Sequence, residues 1–191
     1  MKLPCILPLA LLISAAPVPT PPEPEPHTLA RKIQCPVDAD RYVAGSGFYI
    51  GSHTLITAAH VAANRDCYIY GEPVETVYYD GALDIAIIRT DAGVDRWLHL
   101  DCGKPRKGRT VSVYGFPNDG RLEKRVFGTT GKFVPKDDPD WGGMAVFDGA
   151  ATSGQSGSAI IYEGRIIGVL AAGSQADMLG RLIRDTYLCR K

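Results

Sequence analysis

The chain has 191 residues, of which 45% are hydrophobic, so it can bury a core as one domain or as two small barrels that share an interface. Lys and Arg together number 21, as do Asp and Glu, and the formal net charge of zero gives no indication of a nucleic-acid or acidic-membrane partner. The 21 Gly and 14 Pro residues favour many turns and short strands over long helices.

The N-terminus has the pattern of a targeting segment. Lys2 supplies a positive start, residues 6–13 form a short apolar run, and small residues follow it, which together predict a signal peptide over residues 1–16. The apolar run is too short to cross a bilayer. Residues 17–30 begin with alternating prolines that lack amide donors, so they are predicted to be an extended linker. We therefore expect a secreted or periplasmic protein whose mature form has no membrane span.

Removal of the signal peptide leaves four cysteines. In an exported chain this number is consistent with two disulfides, and three pairings are possible. The sequence has no CxxC pair and no clustered Cys/His spacing, so we expect no metal site. The four cysteines are Cys35, Cys67, Cys102 and Cys189.

The rest of the chain reads as short strands and turns, which predicts an all-β sandwich or barrels. A short helical turn is predicted over residues 58–63, and a polar and basic connector over residues 91–109. Residues 180–188 fit either a helix face or a terminal strand. Glu163 and Gly164 form a strong two-residue turn signal. The predicted strands are 42–50, 54–57, 67–70, 74–79, 85–90, 110–116, 124–133, 144–147, 158–162 and 165–171.

Three local patterns carry candidate chemistry. His60 follows a predicted strand and two alanines that allow close packing around its ring. Asp84 leads into an apolar strand, where a carboxylate can orient an imidazole and stabilise its charged form. Ser156 has small residues on both sides, which permit a tight turn with accessible backbone amides. Each pattern is weak by itself, because such residues most often serve structure, but all three occur on one strand-rich chain.

Together the patterns resemble the chymotrypsin-like (trypsin-like) serine peptidase family, in its compact bacterial form. Thr-Ala-Ala-His at 57–60 is similar to the family's histidine motif, Asp-Ile-Ala-Ile at 84–87 to its aspartate motif, and Gly-Gln-Ser-Gly at 154–157 to its nucleophile motif. The order His, Asp, Ser is also that of the family.

The resemblance implies a fold and a domain organisation. It implies two antiparallel six-stranded β-barrels packed together, with the active site at their interface. The peptidase domain would span residues 31–191, with an N-terminal barrel over about 31–95 and a C-terminal barrel over about 105–191.

The resemblance also implies a serine endopeptidase acting on a protein or peptide. Ser156 would be the nucleophile, His60 the general base and acid, and Asp84 the residue that orients His60. The backbone N–H groups of Gly154 and Ser156 would form the oxyanion hole. No metal or organic cofactor is implied.

Gln155 departs from the animal digestive members of the family, which carry an aspartate that pairs with a newly freed N-terminus. A neutral side chain cannot make that ion pair, so we expect other hydrogen bonds to hold the oxyanion loop. By similarity, Ala150, Ala171, Ala172 and Gly173 would line the specificity pocket, and their lack of charge predicts an apolar preference.

Two alternative functions remain open at this stage. An inactive family member serving as a binding module is one, although such a module has no need to retain all three motifs. A serine esterase is the other, since the same triad hydrolyses esters.

Overall fold

The computed structural model describes residues 23–38, 41–63, 66–118 and 120–189. Within these residues, two closed antiparallel barrels of six strands each make up the fold, which confirms the prediction of an all-β, two-barrel architecture. Closure leaves neither barrel with an unpaired edge. The predicted signal peptide over residues 1–16 lies outside the described residues.

The N-terminal barrel has the strand order β1-β2-β3-β6-β5-β4, with β4 pairing back to β1. One short helix, α1 (Ala59–Ala62), follows β3 and lies against the barrel. The strands are β1 (Ala30–Pro36), β2 (Tyr42–Tyr49), β3 (Thr54–Thr57), β4 (Cys67–Ile69), β5 (Glu72–Asp80) and β6 (Ile85–Arg89).

The C-terminal barrel repeats this order six strands later, as β7-β8-β9-β12-β11-β10, with β10 pairing back to β7. Its side chains follow the period of two that a half-buried strand requires. In β7, for example, Val111 and Val113 are buried while Ser112 and Tyr114 are only partly so. The strands are β7 (Thr110–Gly115), β8 (Glu123–Phe133), β9 (Ala145–Asp148), β10 (Ala159–Tyr162), β11 (Arg165–Gly173) and β12 (Asp177–Leu182).

Each of the ten predicted strands has a counterpart, and the structure adds β1 and β12. Residues 26–30, which the sequence places in the linker, form a 3₁₀ helix and the start of β1, and Leu29 and Ala30 are buried. The ambiguous stretch 180–188 has a composite structure, because it completes β12 and then forms two 3₁₀ turns.

Two apolar cores correspond to the two barrels. The first fills the N-terminal barrel and continues to residues of β10 and β11, so it also joins the barrels. The second lies inside the C-terminal barrel around Phe127, Phe147 and Met178.

Two disulfides are present, as the cysteine count predicted, and the structure selects one of the three pairings. Cys35 and Cys67 join β1 to β4 within the N-terminal barrel. Cys102 in the connector and Cys189 near the C-terminus form the second bond, across 87 positions of sequence. In the part of the chain that is described, no helix is long and apolar enough to span a membrane.

Candidate active site

His60 and Asp84 are in direct contact in the N-terminal barrel. The His60 ring nitrogen Nδ1 lies 2.9 and 3.0 Å from the two carboxylate oxygens of Asp84. The backbone N–H of His60 also donates to this carboxylate, at 2.9 Å. A carboxylate accepts hydrogen bonds only, so Nδ1 carries a proton and Nε2 is left as the acceptor nitrogen of the neutral ring.

The chain folds this way because small residues precede the histidine. Ala58 and Ala59 are fully buried at the start of α1, and this close packing sets the position of the helix. His60 is the second residue of α1, and its side chain remains 44% exposed, whereas that of Asp84 is only 13% exposed. The pair therefore presents a reachable imidazole above a shielded carboxylate.

Asp84 occupies an unusual backbone conformation immediately before β6. Its φ is +53°, in the left-handed region that a non-glycine residue seldom adopts. The peptide that enters this residue is fixed from the other barrel, because Arg181 Nε donates to the Leu83 carbonyl at 2.9 Å. Arg181 also donates to the Gly142 carbonyl, at 3.2 Å, so its guanidinium joins two loops to β12.

Arg181 is the most buried cation among the described residues that bear on this site, with 5% of its surface exposed. Burial lowers its pKa, and the nearby carboxylates of Asp185, Asp84 and Asp80 act in the opposite direction. A guanidinium remains protonated in proteins. Arg181 therefore holds a positive charge near the Asp84 carboxylate.

Ser156 lies in the loop between β9 and β10, flanked by glycines with positive φ. Gly154 has φ of +90° and Gly157 has φ of +87°. A Cβ atom at Gly157 would lie 2.0 Å from the Ser46 carbonyl oxygen, so this position has no space for a side chain. The Ser156 hydroxyl donates to the Ala171 carbonyl at 3.2 Å.

Ser46 of β2 joins the two halves of the site, and sequence reasoning did not identify it. Its backbone N–H donates to the Ser156 carbonyl at 2.7 Å, and its hydroxyl donates to the Gly154 carbonyl at 3.1 Å. The neighbouring Gly45 packs against both sides of the site. A Cβ atom there would lie 2.6 Å from the Val61 methyls and 3.1 Å from the Ser156 carbonyl oxygen. Since Val61 follows His60 directly, the nucleophile loop lies against the histidine helix.

Gln155, the residue before Ser156, is fully buried. Its side-chain oxygen accepts the Thr152 N–H at 3.0 Å, and its own N–H donates to the Thr152 carbonyl at 3.2 Å. The loop is therefore closed on itself over residues 152–155, which places Gly154 at the turn.

A cavity of about 270 Å³ opens beside Ser156. Of the four residues predicted to line a specificity pocket, Ala171, Ala172 and Gly173 line this cavity, whereas Ala150 is exposed and is not part of the lining. A Cβ atom at Gly173 would lie 2.4 Å from the Ala151 Cβ, so a side chain at this position would collide with Ala151. None of its lining residues is charged; they are residues 151–153, Ser156 and residues 170–173.

The described residues contain no group of three or more His, Cys, Asp or Glu side chains placed to hold a metal ion. The ionisable side chains that meet at the site are those of His60 and Asp84, with Arg181 close behind them.

Comparison with known proteins agrees with this architecture. A family model for the trypsin-like peptidase domain matches residues 45–169. Among solved structures, the active form of the Rv3671c protease from M. tuberculosis superposes with a TM-score of 0.69 at 20% identity, covering 91% of this chain and 90% of that one. The HtrA-type protease AlgW with tripeptide gives a TM-score of 0.70 at 17% identity, covering 83% of this chain and 57% of that one. The serine endoprotease from Yersinia pestis gives 0.64 at 15% identity, covering 82% and 59%.

Proposed function

The chain belongs to the trypsin-like peptidase family and is a serine protease, and we propose that Ser156, His60 and Asp84 carry its reaction. The observation that supports this assignment most directly is the His60–Asp84 pair, in which one carboxylate accepts both the ring and the backbone N–H of the histidine. That arrangement fixes the ring orientation and leaves Nε2 as the base.

In the proposed acylation step, Ser156 Oγ attacks the carbonyl carbon of the scissile peptide bond while His60 Nε2 takes the hydroxyl proton. The hydroxyl turns from its Ala171 partner toward the ring to do so, since a hydroxyl rotates freely about its bond. The tetrahedral intermediate collapses as His60 returns the proton to the leaving amine. Water, activated by the same histidine, then hydrolyses the acyl-enzyme. Asp84 stabilises the imidazolium that forms in both steps.

The N–H groups of Gly154 and Ser156 form the oxyanion hole in this proposal. Among the described residues, no backbone carbonyl accepts a hydrogen bond from either N–H. The positive φ at Gly154 gives the loop the turn it needs to direct both groups to one side. A donor of this type contributes about 3 kcal/mol to transition-state stabilisation.

The small volume of the cavity next to Ser156 and its uncharged lining support a preference for a small uncharged residue at the position before the cleaved bond. Gly173 lies close against Ala151, and no acid in the lining is present to pair with Lys or Arg. We expect peptide substrates with Ala at this position to exceed those with Phe in kcat/KM by about 10- to 100-fold. The variant Ala151→Gly, which removes one wall, should narrow the ratio, and a preference for Lys would contradict the assignment of the pocket.

The two disulfides are compatible with an oxidising compartment. We propose that the protein is secreted or periplasmic and that residues 1–16 are removed on export.

A fluorophosphonate probe tests the catalytic assignment, because it labels only a serine that an adjacent base activates. The wild-type protein should be labelled and Ser156→Ala should not, with kcat on casein reduced by about 10⁵- to 10⁶-fold. Ser52→Ala, at an exposed serine in the turn between β2 and β3, is the matched control and should be labelled normally. Folded wild-type protein that stays unlabelled would refute the proposal, and labelling with activity on esters alone would favour the esterase.

A further inference from the structure

Two charged side chains of β8 reach the loop that carries Ser156. Glu123 and Arg125 form an ion pair with 3.0 Å between Arg125 Nε and Glu123 Oε2, and both side chains are partly buried. They project from the strand that runs beside this loop, whereas Lys124 between them is exposed. The pair lies outside the catalytic residues assigned above.

Both members of the pair hold the loop, at different points. Arg125 donates from Nη1 to the Ala150 carbonyl at 3.0 Å. Glu123 accepts a hydrogen bond from the side-chain amide of Gln155 at 3.4 Å. Gln155 in turn holds Thr152 through its side-chain oxygen. The contacts therefore form a continuous chain from residue 150 to residue 155, which is the whole approach to the nucleophile.

Gln155 needs such a partner because it is fully buried. A buried amide left without an acceptor for its N–H₂ group is costly, so an acceptor at this point stabilises the loop in its present conformation. Glu123 is that acceptor, and Arg125 neutralises the charge that Glu123 would otherwise carry alone at the edge of the loop.

In the proposed function, this conformation is the one in which the N–H groups of Gly154 and Ser156 form the oxyanion hole. Gly154 lies between Ser153 and the anchored Gln155, and glycine allows the peptide before it to adopt several orientations. If Gln155 moved, the Gly154 N–H would no longer be directed with the Ser156 N–H.

We propose that Glu123 and Arg125 are positioning residues that hold the oxyanion loop in its catalytic conformation from β8. They take the place of the ion pair that an aspartate at this position makes in the animal digestive members of the family. The neutral Gln155 cannot form that ion pair. This inference rests on the proposed function for its catalytic consequence, but the holding of the loop itself is measurable without activity.

The test uses the variants Glu123→Ala, Glu123→Gln and Arg125→Ala in the full chain, with Lys124→Ala as the matched control on the same strand. Hydrogen exchange measured by NMR reports on the amides of Thr152 and Gln155, which are the groups that the closed loop protects. We expect both amides to exchange at least tenfold faster in the two alanine variants than in Lys124→Ala, while the amides of β11 keep wild-type rates. Glu123→Gln retains an acceptor oxygen and should recover most of the protection.

The kinetic arm measures kcat and KM on a peptide amide, for which acylation limits kcat. We expect a fall of about 10- to 100-fold in kcat for the alanine variants with KM within about threefold of wild type, because a donor to the transition state is lost while the substrate cavity remains. Exchange rates equal to those of Lys124→Ala, or a uniform rise over the whole chain, would overturn the proposal. Wild-type protein that fails to react with fluorophosphonate would refute the proposed function separately, and the exchange arm would still decide whether the two residues hold the loop.

Discussion

The two barrels contribute to the active site in different ways. The N-terminal barrel supplies His60 and Asp84, which contact each other directly. The Asp84 carboxylate accepts hydrogen bonds from both the ring and the backbone N–H of His60. The C-terminal barrel supplies Ser156 on a loop that is bonded to Ser46 of the other barrel and to side chains of β8. The proposed acid–base pair therefore lies within one barrel, whereas the proposed nucleophile is positioned by the assembly of both.

This difference predicts that substitutions in the pair alter chemistry without altering the fold, while substitutions around the loop alter both. The experiments below test that division, starting with the one expected to have the largest effect.

Asp84→Asn should lower kcat by about 10⁴-fold, because an amide at this position favours the wrong tautomer of the histidine and cannot stabilise the imidazolium. Its free energy of unfolding should remain close to that of wild type, since the side chain keeps its size and one acceptor oxygen. Steady-state kinetics and chemical denaturation measure the two quantities. Asp91→Asn, an exposed acid beyond the far end of β6, is the matched control and should leave kcat unchanged. A large loss of stability in Asp84→Asn would mean that the pair also supports the fold.

Gly157→Ala should destabilise the protein by more than about 3 kcal/mol, because it combines a left-handed backbone with a clash against the other barrel. Gly71→Ala is a matched control, since Gly71 has nearly the same φ of +85° but no atom within 4 Å of its Cβ position. The control should cost only about 1 kcal/mol. The difference between the two variants, measured by denaturation, isolates the contact between the barrels. Equal losses would show that Gly157 is required for its backbone conformation alone.

Local signals in the sequence predicted the parts of this structure that depend on neighbouring residues. Short apolar runs between turn residues predicted the strands, the four cysteines predicted two disulfides, and three short motifs identified the serine protease family. Strand β1 was missed because basic and polar residues lie among its buried Ala30, Ile33 and Cys35, so the run has little apolar character.

Contacts between distant residues could not be predicted in this way. Ser46 bonds to a loop 108 positions away, and Arg181 bonds to a carbonyl 98 positions away. A serine in a strand and an arginine in an ambiguous segment carry no local signal of these partners, because the contacts exist only once both barrels have closed and packed. The cavity beside Ser156 could not be predicted for the same reason, because the contact of Gly173 with Ala151 depends on how two loops approach each other.

Arg181→Met has the smallest expected effect and bears most directly on the division between the barrels. The guanidinium comes from the C-terminal barrel but bonds to the carbonyl that precedes Asp84, so it links that barrel to the proposed acid–base pair. Its loss leaves the Leu83 and Gly142 carbonyls without this donor, which should cost about 1 to 3 kcal/mol of stability.

The strained turn at Asp84 should then relax, and the carboxylate should shift relative to the His60 ring. We expect kcat to fall by about tenfold, equivalent to about 1.4 kcal/mol in the barrier. Arg181→Lys, which keeps the charge and reaches one carbonyl, should recover part of the loss, and the half-exposed Arg184→Met should behave as wild type. A variant that lost stability but kept its full kcat would show that Arg181 stabilises the fold and does not contribute to catalysis. The acid–base pair would then owe its geometry to the N-terminal barrel alone, because the turn at Asp84 would keep its shape without the arginine.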